Sequence, residues 1–269
     1  MRIKLPVNCP DCGSETRIRS SRKMAEGYNI LYRDCKNEEC GARFKAEEII
    51  KDTTTENVAE RFGLMDLKPG ACALMIIDQQ QADMHYPYFR KRNNERAEYN
   101  MYRLLSAWRE HSLPIIHVRH LSGDPDSPYS PGHPGVRFKL GLEPLANEEI
   151  FDKNITDAFL RSSIEDWLLK RSIRQLVVVG STSEGAVEAT VRSASNLGFT
   201  VWVPDDACYT FEKFGYNAET LSPEDIHVLA MTNLQQDNST VVDTTLVLHA
   251  IEHATATTKE GESNGQRRH

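Results

Sequence analysis

The chain has 269 residues, 39% apolar and 26% charged, and a net charge of −7. That is enough for one full domain and a small one, with the composition of an ordinary globular protein. The negative balance argues against a surface that generally coats nucleic acid or adheres to membranes. The longest apolar run, Ala71 to Ile77, is far too short to span a bilayer. No long apolar stretch follows the first charges, so a secretory signal is not expected and the expected address is cytoplasmic.

Four of the six cysteines crowd into the first 40 residues: Cys9, Cys12, Cys35 and Cys40, with Cys72 and Cys208 far behind. The spacing is Cys-x2-Cys, a gap of 22, then Cys-x4-Cys. Two short knuckles at this separation can converge tetrahedrally on one zinc ion, and in a cytosolic chain such a cluster reads as metal before disulfide. The plain alternative is four unrelated thiols. Gly13 and Gly41 each follow a second ligand, where a tight turn is needed. A segment of about 50 residues has too little core to fold alone, so zinc, one per chain, would be structural and part of the folding energy.

Residues 1–50 carry a net charge of +2 and the remainder −9. Between the knuckles Arg17, Arg19, Arg22, Lys23, Arg33 and Lys36 outnumber Glu15, Glu26 and Asp34, with Tyr28 and Tyr32 among them. A basic patch of this kind suits phosphate contacts. It equally suits a solvated face.

Residues 51–70 read as a linker, with a short helix across Glu56–Phe62 and a Pro69-Gly70 turn. From Ala71 the pattern predicts strands at about 72–77, 115–119, 175–180, 200–203 and 239–242. Helices are predicted at about 92–111, 157–171, 186–197, 223–236 and 243–253. Ser222-Pro223-Glu224 is a helix start and Gly198 a helix stop. This alternation predicts an α/β domain over 71–253: a doubly wound, mostly parallel sheet with helices on both faces, preceded by a small zinc-stapled module. Residues 254–269 are polar and are predicted to be a disordered tail.

Ligands bind at the carboxyl ends of strands in such sheets. Asp78 closes the first strand there, although a turn or cap residue would look the same. Lys153 lies in IFDKNITDAF, where an exposed loop lysine is the plain alternative. Leu176 to Phe199 reads as strand, Gly-anchored turn and amphipathic helix. A thiol at the first helical turn would be acidified by the helix-start N–H groups. The chain places Ala186 at that point.

CPDCGSETRIRSSRKM and YRDCKNEECGARFKAEE resemble the Ogr/Delta zinc module of phage late-transcription activators, over about residues 5–50. The resemblance implies a phage or prophage origin and a module that binds DNA and contacts RNA polymerase. Arg17, Arg19, Arg22 and Lys23 are the candidate nucleic-acid contacts.

LMIIDQQ, HVRH, SPYSPGHPGVRFKLGLEPL, DKNITDAF and VVVGSTSEGAVEATVRSASNLGFTVWVPDDA resemble, in order, the isochorismatase-like cysteine hydrolase superfamily over about 71–250. By position the resemblance puts Asp78 on the family's acid/base, Lys153 on its lysine and Ala186 on its nucleophilic cysteine. It implies oxyanion donors at the Thr182 and Ala186 backbone N–H groups, a cis Ser181–Thr182 peptide, and substrate contacts from Gln80 and Arg119. In the family logic an Asp–Lys pair deprotonates the thiol, which attacks an amide or imine carbon.

Ala186 closes that route. Ser181 and Ser183 are offset from the nucleophile position, and Cys208 follows a different strand. His85, His117 and His120 are readable as metal ligands or, more plainly, as surface or core residues. Four readings remain: a degenerate enzyme kept as ligand sensor or oligomerisation unit; a cysteine-less hydrolase using Asp78 as the acid on a vinyl ether; an amidohydrolase whose cysteine has been substituted; and a scaffold. The favoured one is a DNA-directed regulator whose hydrolase-like domain binds a small molecule or assembles a homo-oligomer. The loop from Leu121 to Asn147 is expected to shape the pocket.

Overall fold

The structure, a computed structural model, describes residues 9, 12, 14–25, 28–49, 67–84, 91–237 and 239–265. The chain forms two compact units, Met1–Leu64 and Met65–His269. The helix expected across Glu56–Phe62 lies outside the described residues, as do Gly13 and His85.

In the first unit β1 (Thr16–Ala25), β2 (Tyr28–Cys35) and β3 (Arg43–Ile49) make an antiparallel sheet in that order. Register shifts between Ile18 and Ser20 and between Lys23 and Ala25 bend β1. Cys35 ends β2, and the turn behind it brings Cys40 back, with Gly41 at φ 58° where a side chain would be strained.

The second unit is built on a seven-stranded sheet ordered β12-β8-β7-β4-β5-β6, with β9 pairing β7. The strands are β4 (Cys72–Ile77), β5 (Ile115–His120), β6 (Glu149–Lys153), β7 (Gln175–Ser181), β8 (Thr200–Pro204), β9 (Cys208–Tyr209) and β12 (Thr240–Val242). Every pairing is parallel. β10 (Lys213–Phe214) and β11 (Thr220–Leu221) form a separate exposed hairpin. The central strand β4 is apolar at all six positions because both of its faces are covered.

Helices α1 (Ala97–Glu110), α2 (Ile164–Lys170), α3 (Glu188–Asn196), α4 (Pro223–Asp237) and α5 (Thr244–Gly265) provide that cover. Ala73, Met75 and Ile77 share one core with Ile164 and Leu168 of α2, Val191 and Ala194 of α3, and Met231 and Leu234 of α4. α1 packs against β4, β7 and α5.

Three expectations are corrected. α1 starts at Ala97 rather than near 92, because Asn94 adopts φ 43° and the chain turns there. α2 starts at Ile164 rather than 157, because Asp157 and Ser162 side chains accept local backbone N–H bonds that favour turns. α5 continues to Gly265 through the segment expected to be disordered; no proline interrupts ATATTKEGES, and its Ala, Glu and Lys residues favour helix. No helix among the described residues is long and apolar enough to cross a membrane.

Candidate functional site

Asp78 follows directly on the last residue of β4, where Ile77 pairs with Gly180 of β7. Its φ of 52° turns the chain sharply out of the strand, a conformation Asp tolerates better than most residues. Gly180, at φ 134°, has no room for a Cβ against the Ile77 backbone. Glycine there lets the two strand ends close up, so Asp78 stands beside the turn that follows β7.

Lys153 is the last residue of β6, two strands away, and only 7% exposed. Its Nζ donates to Asp78 Oδ2 at 2.6 Å. Burial pushes the Asp78 carboxyl up to about 6, against the pull of Lys153. Asp78 Oδ1 is buried and has no partner among the described residues, which leaves it open to a ligand donor. Burial, and then the Lys153 charge, push His120 down to about 4.

The turn is a single π-helical turn, Ser183–Val187, leading into α3. The Val187 N–H donates to the Thr182 carbonyl at 3.2 Å, and the Ser181–Thr182 peptide is cis. Gly185 leaves space that the Thr182 hydroxyl occupies. Ala186, in this turn, is 7% exposed, so its methyl group is buried against the core.

Gln80 and Arg119 are otherwise engaged. Gln80 is 1% exposed; its Nε2 donates to the His120 carbonyl at 2.9 Å and its Oε1 accepts the His120 N–H at 2.8 Å. It ties the ends of β4 and β5 together. Arg119 makes a bidentate bond to Asp152 at 2.7 and 2.8 Å. Ser181 Oγ accepts from Gln79, and Cys208 is fully buried with its thiol pushed up by burial. His117 is bonded to Glu148 at 2.8 Å within the fold, and His120 packs edge-on against Tyr129.

Sequence reasoning missed a second polar layer. Gln79 Nε2 donates to the Ile77 carbonyl at 3.0 Å and to Ser181 Oγ at 3.1 Å, while the Tyr209 hydroxyl donates to Gln79 Oε1 at 3.4 Å. Lys139 Nζ joins the Tyr209 hydroxyl at 2.7 Å, Asp83 at 2.5 Å and Glu98 at 2.8 Å. Arg92 grips Glu98 at 2.6 Å and lies 3.8 Å over the Tyr209 ring. The network props the turn from behind. Its members come from five separate stretches of chain, so only Gln79, directly after Asp78, offered any local cue.

In the first unit the Sγ atoms of Cys9, Cys12, Cys35 and Cys40 all lie within 4.8 Å of one another. Cys9 and Cys40 are 3.8 Å apart and Cys12 and Cys35 3.5 Å. Zn–S bonds of about 2.3 Å in a tetrahedron place sulfurs about 3.8 Å apart, so the cluster fits a structural zinc. It is the one group with metal-ligand geometry among the described residues. Arg17 and Arg19 are exposed beside it; Arg22 and Lys23 pair with Ile30 and Asn29 in the β1–β2 ladder.

Comparison with known proteins matches both units. A family model described as isochorismatase domain matches residues 72–245, and one described as Ogr/Delta-like zinc finger matches residues 8–54. YrdC, an isochorismatase family protein of Bacillus subtilis, is 30% identical over 172 residues, 64% of this chain and 91% of YrdC. A crystal structure of an isochorismatase-family protein from Chromobacterium violaceum superposes with a TM-score of 0.67 at 36% identity, covering 70% of this chain and 97% of that one. A streptothricin hydrolase of Streptomyces noursei is 32% identical over 109 residues, 40% of this chain and 43% of that enzyme.

Proposed function

The chain belongs to the isochorismatase family, and from that premise we propose that it is a DNA-directed regulator whose hydrolase-family domain binds a small molecule without turning it over or assembles the chain into a homo-oligomer. One observation carries the reading: Ala186 occupies the helix-start position beside an intact, buried Asp78–Lys153 pair. Loss of a nucleophile costs on the order of 10⁴–10⁶ in rate. Binding needs only the Asp78 Oδ1 acceptor, the Lys153 charge and the backbone N–H groups of the turn, and these remain. The zinc-finger match and the exposed Arg17 and Arg19 supply the DNA-directed half. One weakly basic module gains affinity when duplicated, which is the physical case for an oligomer.

DNA binding titrated against salt, beside a hydrolysis panel of amides, carbamoyl compounds, nicotinamide and isochorismate, tests this. Affinity is expected to fall with a log–log slope of about −0.9 per phosphate neutralised, with turnover by Ala186→Cys alone or by neither protein. Turnover by the unaltered chain, lost in Asp78→Asn and Lys153→Met, overturns it. One observation favours that rival, a cysteine-less hydrolase: the Asp78 carboxyl, pushed up to about 6, is suited to donating a proton. Such an enzyme would gain activity as the pH falls through about 6.

A further inference from the structure

Ser183 opens the π-helical turn, and its hydroxyl does not cap that turn. Ser183 Oγ and Nδ1 of His227, on α4, share a hydrogen bond of 2.7 Å. Ser183 is 0% exposed and His227 4%. No side-chain cap is made at Thr182 either. Short hydroxyl side chains at the start of a helical turn ordinarily accept from the turn's own N–H groups two or three residues on. Here the Gly185 and Val187 N–H groups both donate to the Thr182 carbonyl, at 3.1 and 3.2 Å. The N–H between them, that of Ala186, is the one a hydroxyl at 183 would reach if released.

We propose that His227 is a positioning residue for the ligand site: it holds the Ser183 hydroxyl against α4 and so keeps it off the Ala186 N–H, which stays directed at the ligand. The inference rests on reading this turn as the ligand's anchor. A freed serine would occupy the site from within, as an internal competitor for the same donor. The surroundings make His227 a fixture rather than a charge. Burial holds its pKa below the usual value, against the opposing pull of Glu224 and Glu184. Asn94 Nδ2 lies 3.5 Å from Nε2 and already donates to the Asp205 and Cys208 carbonyls. Lys213 pairs with Glu184, so the next residue of the turn is anchored separately.

Ala186→Cys in the full chain turns the Ala186 N–H environment into a measurable thiol pKa, read from the pH profile of alkylation by iodoacetamide. The unaltered chain supplies the background; its Cys72 and Cys208 are buried and the other four cysteines are the zinc cluster. Adding His227→Leu is expected to raise the thiol pKa by about one unit and to slow alkylation at pH 7 about tenfold. Adding Ser183→Ala to that pair is expected to restore both, and Ser183→Ala without His227→Leu to leave the rate within about twofold. A structural role for the hydrogen bond predicts the opposite: Ser183→Ala alone would do the damage and would rescue nothing. That result, or an unchanged pKa in the His227→Leu protein, overturns the proposal. His227→Met replaces the leucine variant if melting shows the latter unfolded. The readout needs neither DNA nor ligand, so failure of the regulator reading leaves it unmoved, and its own failure leaves that reading standing.

Discussion

The two units solve the problem of staying folded by different means. In the small one four cysteine sulfurs lie within 4.8 Å of one another beside a three-stranded antiparallel sheet, and Cys9 and Cys35 are buried. In the large one a continuous core joins β4, β5, β7 and β8 to the helices, and polar groups gather at the carboxyl ends of the strands. The first keeps its chemistry in its staple, and the second keeps its chemistry apart from its core. A change to zinc should therefore be confined to one unit, and changes at the Asp78 site should be separable from folding only where they avoid the strand ends.

The largest expected effect breaks the small unit alone. Chelation, or Cys35→Ser, should abolish its folded state, since structural zinc contributes on the order of 10–16 kcal/mol in small modules. Zinc content and amide spectra would follow the loss. The melting temperature of the large unit is expected to stay where it was; a parallel fall would show that the two units are not independent in stability.

Next comes Gly180→Ala. A Cβ at φ 134° would drive into the Ile77 backbone, and neither strand end can retreat without opening the sheet. A loss of about 4 kcal/mol in urea unfolding is expected. Gly123→Ala, with nothing within 4 Å, is the control and should move stability by no more than about 0.5 kcal/mol.

Asp78 gives a smaller effect with a defined sign. Its carboxyl takes a proton near pH 6 when folded and near the ordinary 3.8 when unfolded. The folded state holds that proton more tightly. The group's contribution is thus most favourable below about pH 4 and is lost as the pH rises through about 6, a span worth about 3 kcal/mol. Other carboxylates run the other way; Glu98, although burial raises it, is held low by Arg92 and Lys139. The difference between the chain and Asp78→Asn isolates the Asp78 limb. A flat difference between pH 4 and 7 would mean that Lys153 keeps Asp78 ionised throughout.

What could be read beforehand follows from how local each cause is. The cysteine spacing declared the cluster because ligands must come in short knuckles. β4 and β7 were legible as unbroken apolar runs, and Ser222 does cap α4, accepting the Asp225 N–H at 3.1 Å. β6 was not foreseen, because EIFDK is an edge strand that mixes three charged residues with Ile150 and Phe151, and of its residues only Lys153 is buried, so it carries no apolar run. Lys153 therefore looked like a loop lysine until the strand pairing placed it against Asp78. The roles expected of Gln80 and Arg119 came from the family resemblance of LMIIDQQ and HVRH. Where their side chains point is decided by partners 30 to 40 residues away, which no local pattern carries.

Arg119 supplies the smallest effect and the finest test of the same division. Its ion pair with Asp152 is bidentate, yet the side chains are 30% and 42% exposed, so water screens both charges. Arg119→Ala should cost about 0.2–1 kcal/mol and leave ligand affinity within about twofold. Gln80→Ala, by contrast, removes a buried side chain that bonds both the N–H and the carbonyl of half-buried His120, and should cost about 1–3 kcal/mol. If affinity by calorimetry instead drops tenfold in Arg119→Ala while stability holds, the guanidinium leaves Asp152 for the ligand when the site fills. The strand-end residue would then belong to recognition rather than to the sheet.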